Sequence, residues 1–212
     1  MRIITIAARK GGVGKTTLAT HLSVLAAAGG PTLLFDTDPQ RSLAWWWRLR
    51  SADSPQLVEC ASRDLAKVID AAREAGVKAC IIDTPPHAED SILSAMRLAD
   101  LVLVPTRPGP FDLAAVATTL ELARSIGKAP LAVLNHAPPQ TGFAEPAIVT
   151  EAREAIRLMG AEVADVAIAQ RVALSHAVIS GQTVNEYEPK GKAALEIAAL
   201  WAEILKRIGG RK

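Results

Sequence analysis

Lys10-Gly11-Gly12-Val13-Gly14-Lys15-Thr16-Thr17 is the segment whose residue types and spacing can do chemistry. Glycines at 11, 12 and 14 let the backbone curl so that successive N–H groups face a polyphosphate. Lys15 then supplies a point charge to β- and γ-phosphate oxygens, and Thr16 offers a hydroxyl to Mg²⁺. Three carboxylates stand at the ends of apolar runs further on. Asp36 and Asp38 occur in Asp36-Thr37-Asp38-Pro39-Gln40, and Asp83 follows residues 77–82. Carboxylates two residues apart on an extended chain point the same way, which suits a Mg²⁺ water shell and an attacking water. Asp38 has a second reading as an acidic cap at a helix start. An apolar strand ending in Asp83 holds Mg²⁺ through water.

The elements that must position these groups follow from periodicity. The glycine loop comes after the apolar run 3–8 and before Leu18, Leu22 and Leu25, which share one helical face. Strand, loop and helix then place the positive end of the helix at the phosphates. Further strands are predicted at 31–35, 56–60, 77–82, 101–105, 129–134 and within 161–168. Helices are predicted at 41–50, 63–75, 91–99, from the Asp112 turn to about 126, at 143–159, and in a closing segment through 208. The alternation predicts an α/β fold: a doubly wound, mostly parallel sheet of about seven strands, helices on both faces, in a single domain over 1–212. Acidic groups at the carboxyl ends of its strands lie on the ligand side.

Composition narrows the classes. Half of the 212 residues are hydrophobic and the formal net charge is only +2, so nucleic-acid binding would need a local patch. Residues 16–35 lack charged side chains apart from His21, a run long enough to suggest a membrane span. Gly29-Gly30-Pro31 interrupts it. Cys60 and Cys80 have no metal-type spacing and read as buried thiols of a reducing cytoplasm. The chain enters its first strand at once, so no signal peptide is expected. His21, His87, His136 and His176 share no ligand spacing, and no metal beyond Mg²⁺ is expected. Trp45, Trp46 and Trp47 fan around a helix at about 100° per residue. Two can be buried with one against a neighbouring loop, or one can serve a dimer or adaptor surface. The Asn135 amide, at a strand end, can satisfy donor and acceptor positions of an adenine edge. Ile197, Trp201, Ile204 and Ile208 make a core-facing stripe or, with Lys206 and Arg207 opposite, an interfacial helix.

Arg9 stands where the general pattern G-x-x-x-x-G-K-[ST] has glycine, and Lys10 directly precedes the glycines. This loop resembles the deviant Walker A loop of the ParA/MinD family of ATPases. The D-x-D-P-Q segment at 36–40, D-T-P-P at 83–86, the P-x-x-P-x-P-x-D-L turn at 105–113 and the C-terminal pieces from Gln170 also resemble that family. The likeness covers essentially the whole chain. It implies ATP/ADP and Mg²⁺ as cofactors, contacts to nucleotide along 10–17, an adenine contact from Asn135, and an ATP-dependent homodimer in which Lys10 reaches the partner's nucleotide. Asp36 would help hold the metal's water shell beside Thr16 and Asp83, and Asp38 would orient the attacking water. The proline-rich turn would shape the nucleotide-facing edge, with Asp112 part of it or a cap for the next helix.

The closest resemblance is to small ParA-type plasmid partition ATPases without an N-terminal DNA-binding extension, since the loop begins at residue 10. These imply non-specific DNA binding, positioning or segregation of DNA or other cargo, and slow hydrolysis stimulated by a ParB-like adaptor. The implied location is cytoplasmic and nucleoid-associated when ATP is bound. Arg171, Lys190 and Lys192 are candidate DNA contacts. One alternative is MinD-like membrane cycling through residues 200–212. Another is a metabolic enzyme of the same fold, although a nitrogenase-type iron protein needs cluster-ligating cysteines after the Asp83 strand and none follows Cys80.

Overall fold

Glycine and proline punctuation divides the chain into alternating strands and helices. The computed structural model describes residues 1–142 and 144–210. The strands are β1 (Arg2–Ile6), β2 (Thr32–Asp36), β3 (Gln56–Glu59), β4 (Ala79–Asp83), β5 (Leu101–Thr106), β6 (Leu131–Leu134) and β7 (Glu162–Val163). The helices are α1 (Lys15–Ala27), α2 (Ser42–Arg48), α3 (Leu65–Glu74), α4 (Glu89–Leu98), α5 (Pro110–Ser125), α6 (Ala147–Leu158), α7 (Val172–Ile179), α8 (Val184–Tyr187) and α9 (Lys192–Gly209). The strands form one seven-stranded sheet in the order β3-β2-β4-β1-β5-β6-β7, parallel throughout. The expected doubly wound sheet is therefore found.

Alternation within the strands assigns the two faces. Ile4 and Ile6 of β1, Leu34 of β2 and Val133 of β6 pack with α1, α2, α7, α8 and α9. On the opposite face, Ile3, Phe35 and Ile82 meet α3 and α4, while Val102, Val104 and Leu134 meet α4, α5 and α6. The chain leaves β1 towards β2 on one side, and β5 lies on its other side. The carboxyl end of β1 is thus a topological switch point, where such sheets bind ligands.

Boundaries differ from expectation where local chemistry intervenes. Helix α6 begins at Ala147 because Pro146 occupies the cap, and a proline disfavours helix in the residue before it; Phe143, the expected start, lies outside the described residues. A short 3-10 turn at Ser62–Asp64 precedes α3. β6 starts only after Pro130, which cannot donate to a ladder. β2 and β4 extend by one residue to include Asp36 and Asp83 themselves. Helices α7 and α8 lie in the stretch from Gln170 to Pro189, left unassigned by the sequence analysis. Cys80 is buried in β4, where burial pushes its thiol up to about 12, and Cys60 is half-buried after β3.

In α9, Ile197, Leu200 and Ile204 are buried, and Trp201 and Ile208 pack against them. The stripe belongs to the core, which corrects the interfacial-helix alternative for these residues. Arg211 and Lys212 lie outside the described residues. Among the described residues no helix is long and apolar enough to cross a membrane.

His21 of α1 is completely buried, and its Nδ1 accepts the Val184 N–H at 3.4 Å. Burial lowers its pKa from 6.5 to about 4, opposed by Glu186. The unfolded chain therefore binds a proton that the fold excludes. The stability contribution is intact above pH 6.5 and is lost as pH falls towards 4. Acid melts should show a loss of about 2 kcal/mol between pH 7 and 5 that His21→Gln flattens; an unchanged pH profile in the variant would refute it.

Candidate nucleotide site

The loop leaves β1 and enters α1 at Lys15. Gly12 and Gly14 have φ of 72° and 89°, the left-handed region that glycine adopts without strain. Gly14 has a second reason to lack a side chain: a Cβ there would lie 2.1 Å from Asn135 Nδ2. The Lys15 ammonium donates to the Lys10 carbonyl at 3.4 Å, the Asn135 amide to Val13 O at 2.8 Å, and the Arg107 guanidinium to Gly12 O at 2.5 Å. The loop borders a cleft of about 510 Å³ lined by Gly11, Gly12, Gly14, Lys15, Thr16, Thr17, Asp38 and Trp45 among others.

Thr16 Oγ1 donates to Asp83 Oδ2 at 2.6 Å, joining the first turn of α1 to the end of β4. Asp83 is buried, and its other oxygen, Oδ1, has no hydrogen-bond partner among the described residues. Burial raises the Asp83 pKa to about 7, against the opposing pull of Thr16 and Lys15. Burial likewise lowers Lys15, which Asp83 and Asp38 partly offset. The expected grouping of Lys15, Thr16 and Asp83 is present.

The strand ends at Asp36 and the chain turns there, with the Asp38 carboxylate near enough to act on that of Asp36. Asp36 is fully buried; it accepts the Asp38 N–H at 3.1 Å and the Ala44 N–H at 2.9 Å. It thereby ties the Asp38 loop to the start of α2, a contact that carries no signal in the sequence. Its pKa is raised, mainly by burial. Asp38 lines the cleft and accepts the Gln40 N–H at 2.9 Å. Asp36 and Asp83 are register partners on adjacent strands. No cluster of three or more His, Cys, Asp or Glu able to hold a metal occurs among the described residues.

Lys10 pairs with Asp112 at 2.9 Å, its side chain 37% exposed. Gly109 occupies the cap position of α5 and Asp112 sits in the first turn, so the capping role considered for Asp112 is replaced by this ion pair. Asn135 follows β6, is buried, and lines a second pocket of about 280 Å³ with Thr17, His136 and Arg171. Its amide N–H side is committed to the loop, leaving its carbonyl oxygen for a base. Arg171 is not a free surface cation: its Nε and Nη2 engage Glu196, the closest contact 2.6 Å, beside that pocket. A DNA contact by Arg171 would have to compete with this ion pair. Lys190 and Lys192 are exposed around the start of α9.

The tryptophans divide as helical geometry requires. Trp46 is buried, Trp47 donates to Pro55 O at 2.7 Å, and Trp45 remains 53% exposed. Trp45 lies at the cleft rather than against a neighbouring loop. Arg107 and His136, which also border the loop, carried no sequence signal. Arg107 sits inside the proline-rich turn, but its carbonyl partner is 95 residues away.

The family model for the CobQ/CobB/MinD/ParA nucleotide binding domain matches residues 4–200. The chain belongs to this ParA/MinD family. It is 29% identical over 211 residues to the maintenance of carboxysome distribution protein A of Gloeobacter kilaueensis, covering 98% of this chain and 94% of that protein. The chromosome-partitioning ATPase Soj of Thermus thermophilus is 28% identical over 98% of this chain and 97% of its own length. A solved structure of the septum site-determining protein MinD with Mg-ADP, from Pyrococcus horikoshii, has a TM-score of 0.77 at 20% identity, covering 99% of this chain and 97% of that one. This ParA/MinD-family ATPase thus shares the fold of a nucleotide-binding domain.

The family implies Mg²⁺, and the residues fit it. A buried carboxylate oxygen without a partner, on Asp83, stands next to the Thr16 hydroxyl at the loop's end. Hard oxygen donors of this kind suit Mg²⁺ held partly through water. Thr16 and Asp83 would hold it, with Asp36 bracing the adjoining strand end.

Proposed function

We propose that the chain is a positioning ATPase that dimerises on ATP, binds DNA without sequence preference, and is reset by slow, Mg²⁺-dependent hydrolysis that an adaptor protein stimulates. The observation that carries this reading is the placement of Lys10. Its side chain does not line its own subunit's cleft but stands at the loop's outer edge, paired with Asp112. A lysine so placed can exchange Asp112 for the phosphates of a second subunit. Lys15 neutralises phosphate charge from within the same subunit, and bound Mg²⁺ supplies further neutralisation. Asp38, at the cleft and fixed by the Asp36 bonds, orients the attacking water. Asn135 offers its free oxygen to the adenine.

The relatives' names, one for carboxysome distribution and one for chromosome partitioning, favour a positioning output over a metabolic one. DNA contact falls to Lys190 and Lys192, doubled by dimerisation, and places the ATP-bound protein on the nucleoid. MinD-like membrane cycling is the second reading, but the α9 stripe it would use is taken by the core. Lys10→Ala should keep ATP affinity within about threefold yet lose ATP-dependent dimerisation in light scattering. Parent-like dimers in the variant would overturn the role of Lys10 in the partner's site.

A further inference from the structure

Two consecutive carbonyls of the phosphate loop are held by side chains from elsewhere in the sheet. Arg107 donates to Gly12 O at 2.5 Å and Asn135 donates to Val13 O at 2.8 Å. The two donors come from adjacent strand ends, β5 and β6, which are themselves joined: the Asn135 N–H donates to Thr106 O at 2.8 Å. Neither Arg107 nor Asn135 lines the cleft that Gly11, Gly12, Gly14 and Lys15 border. Both therefore reach the loop from outside that cleft.

In a planar trans peptide the C=O of one residue and the N–H of the next point in opposite directions. Fixing Gly12 O thus aims the Val13 N–H away from Arg107, and fixing Val13 O aims the Gly14 N–H away from Asn135. We propose that Arg107 and Asn135 form a two-point clamp on the phosphate loop, positioning residues that hold its amides in anion-binding orientation before nucleotide arrives. Glycine at 12 and 14 makes the loop deformable, since φ at both positions is also accessible to other conformers once the carbonyls are released. The clamp removes that freedom, so less ordering opposes phosphate binding. The clearance at Gly14, where any Cβ would collide with the Asn135 amide, is what lets the second donor reach its carbonyl. The clamp also gives Asn135 a function independent of the base.

The inference rests on the reading of the loop as a nucleotide phosphate site, so the test includes a ligand with no base. Displacement of a fluorescent ATP analogue by ATP and by inorganic tripolyphosphate would be measured for the parent, Arg107→Met, Arg107→Lys and Asn135→Ala, each checked by thermal melt. Arg107→Met should weaken both ligands by a common factor, roughly tenfold, Asn135→Ala should weaken tripolyphosphate by a similar factor and ATP by at least as much, and Arg107→Lys should recover most of the Arg107→Met loss by restoring a donor. The Arg107→Met deficit should persist at about 0.5 M salt, where a long-range charge effect is screened. Exposed Arg107 carries the test if Asn135→Ala fails to fold. Parent-like affinity in Arg107→Met, or a deficit that vanishes in salt, would overturn the clamp. So would an Asn135→Ala loss confined to ATP, which assigns the amide to the adenine alone. A parent that binds neither ligand would instead overturn the phosphate-site reading.

Discussion

Lys15→Ala abolishes nucleotide binding: ATP and ADP affinity should fall by more than about 100-fold in equilibrium dialysis. Lys15 is almost fully buried at the start of α1, and its ammonium is near Asp83 and Asp38. Without it, the triphosphate would enter a cleft whose nearest fixed side-chain charges are carboxylates, and the loop amides alone would have to offset that repulsion. The loss is not one of folding. Burial already lowers the Lys15 pKa, so the charged group is held at a cost in the nucleotide-free protein, and the alanine variant should melt within about 1 kcal/mol of the parent. Retained ATP binding by a folded Lys15→Ala protein would show that the cleft holds its ligand in some other way.

Asp38→Ala is expected to separate binding from hydrolysis. Asp38 lies at the cleft while Thr16 and Asp83 remain bonded to each other without it. ATP affinity should therefore stay within about threefold, whereas turnover should fall roughly 100-fold or more, the usual contribution of a group that orients or deprotonates water. Single-turnover phosphate release alongside light scattering would read both effects, with the ATP-bound dimer accumulating. Hydrolysis at the parent rate would assign Asp38 only its bond to the Gln40 N–H.

The parts of this site that were legible in the sequence are those fixed by local spacing. Strand, glycine loop and helix follow from residues 3–25, and the acidic ends of β2 and β4 follow from apolar runs that stop at a carboxylate. A parallel sheet flanked by helices follows from the alternation itself. What was not legible depends on contacts between distant residues. Arg171, at the cap of α7, reads as an exposed cation until Glu196 of α9 is seen to pair with it. That Asp36 also holds the Asp38 and Ala44 N–H groups, while Asp38 lines the cleft, depends on the turn after β2, which no spacing in the sequence shows. Arg107 has no pattern to betray it, because its partner is a main-chain oxygen of a glycine. The C-terminal stripe had two physical readings of equal periodicity, and only packing against the sheet separates them.

On the proposed function, ATP converts this ATPase into a dimer that rides on DNA. Retention of an arbitrary duplex, measured with ATP, ADP and no nucleotide across a salt series, tests it most directly. The account predicts retention with ATP alone, because dimerisation sums two weak patches. Retention should weaken steeply between about 50 and 200 mM salt as counterions are released. It should be lost in the Lys190→Glu, Lys192→Glu double variant, whose ATP binding and dimerisation are intact. No retention in any nucleotide state, together with ATP-dependent flotation on anionic liposomes, would contradict it.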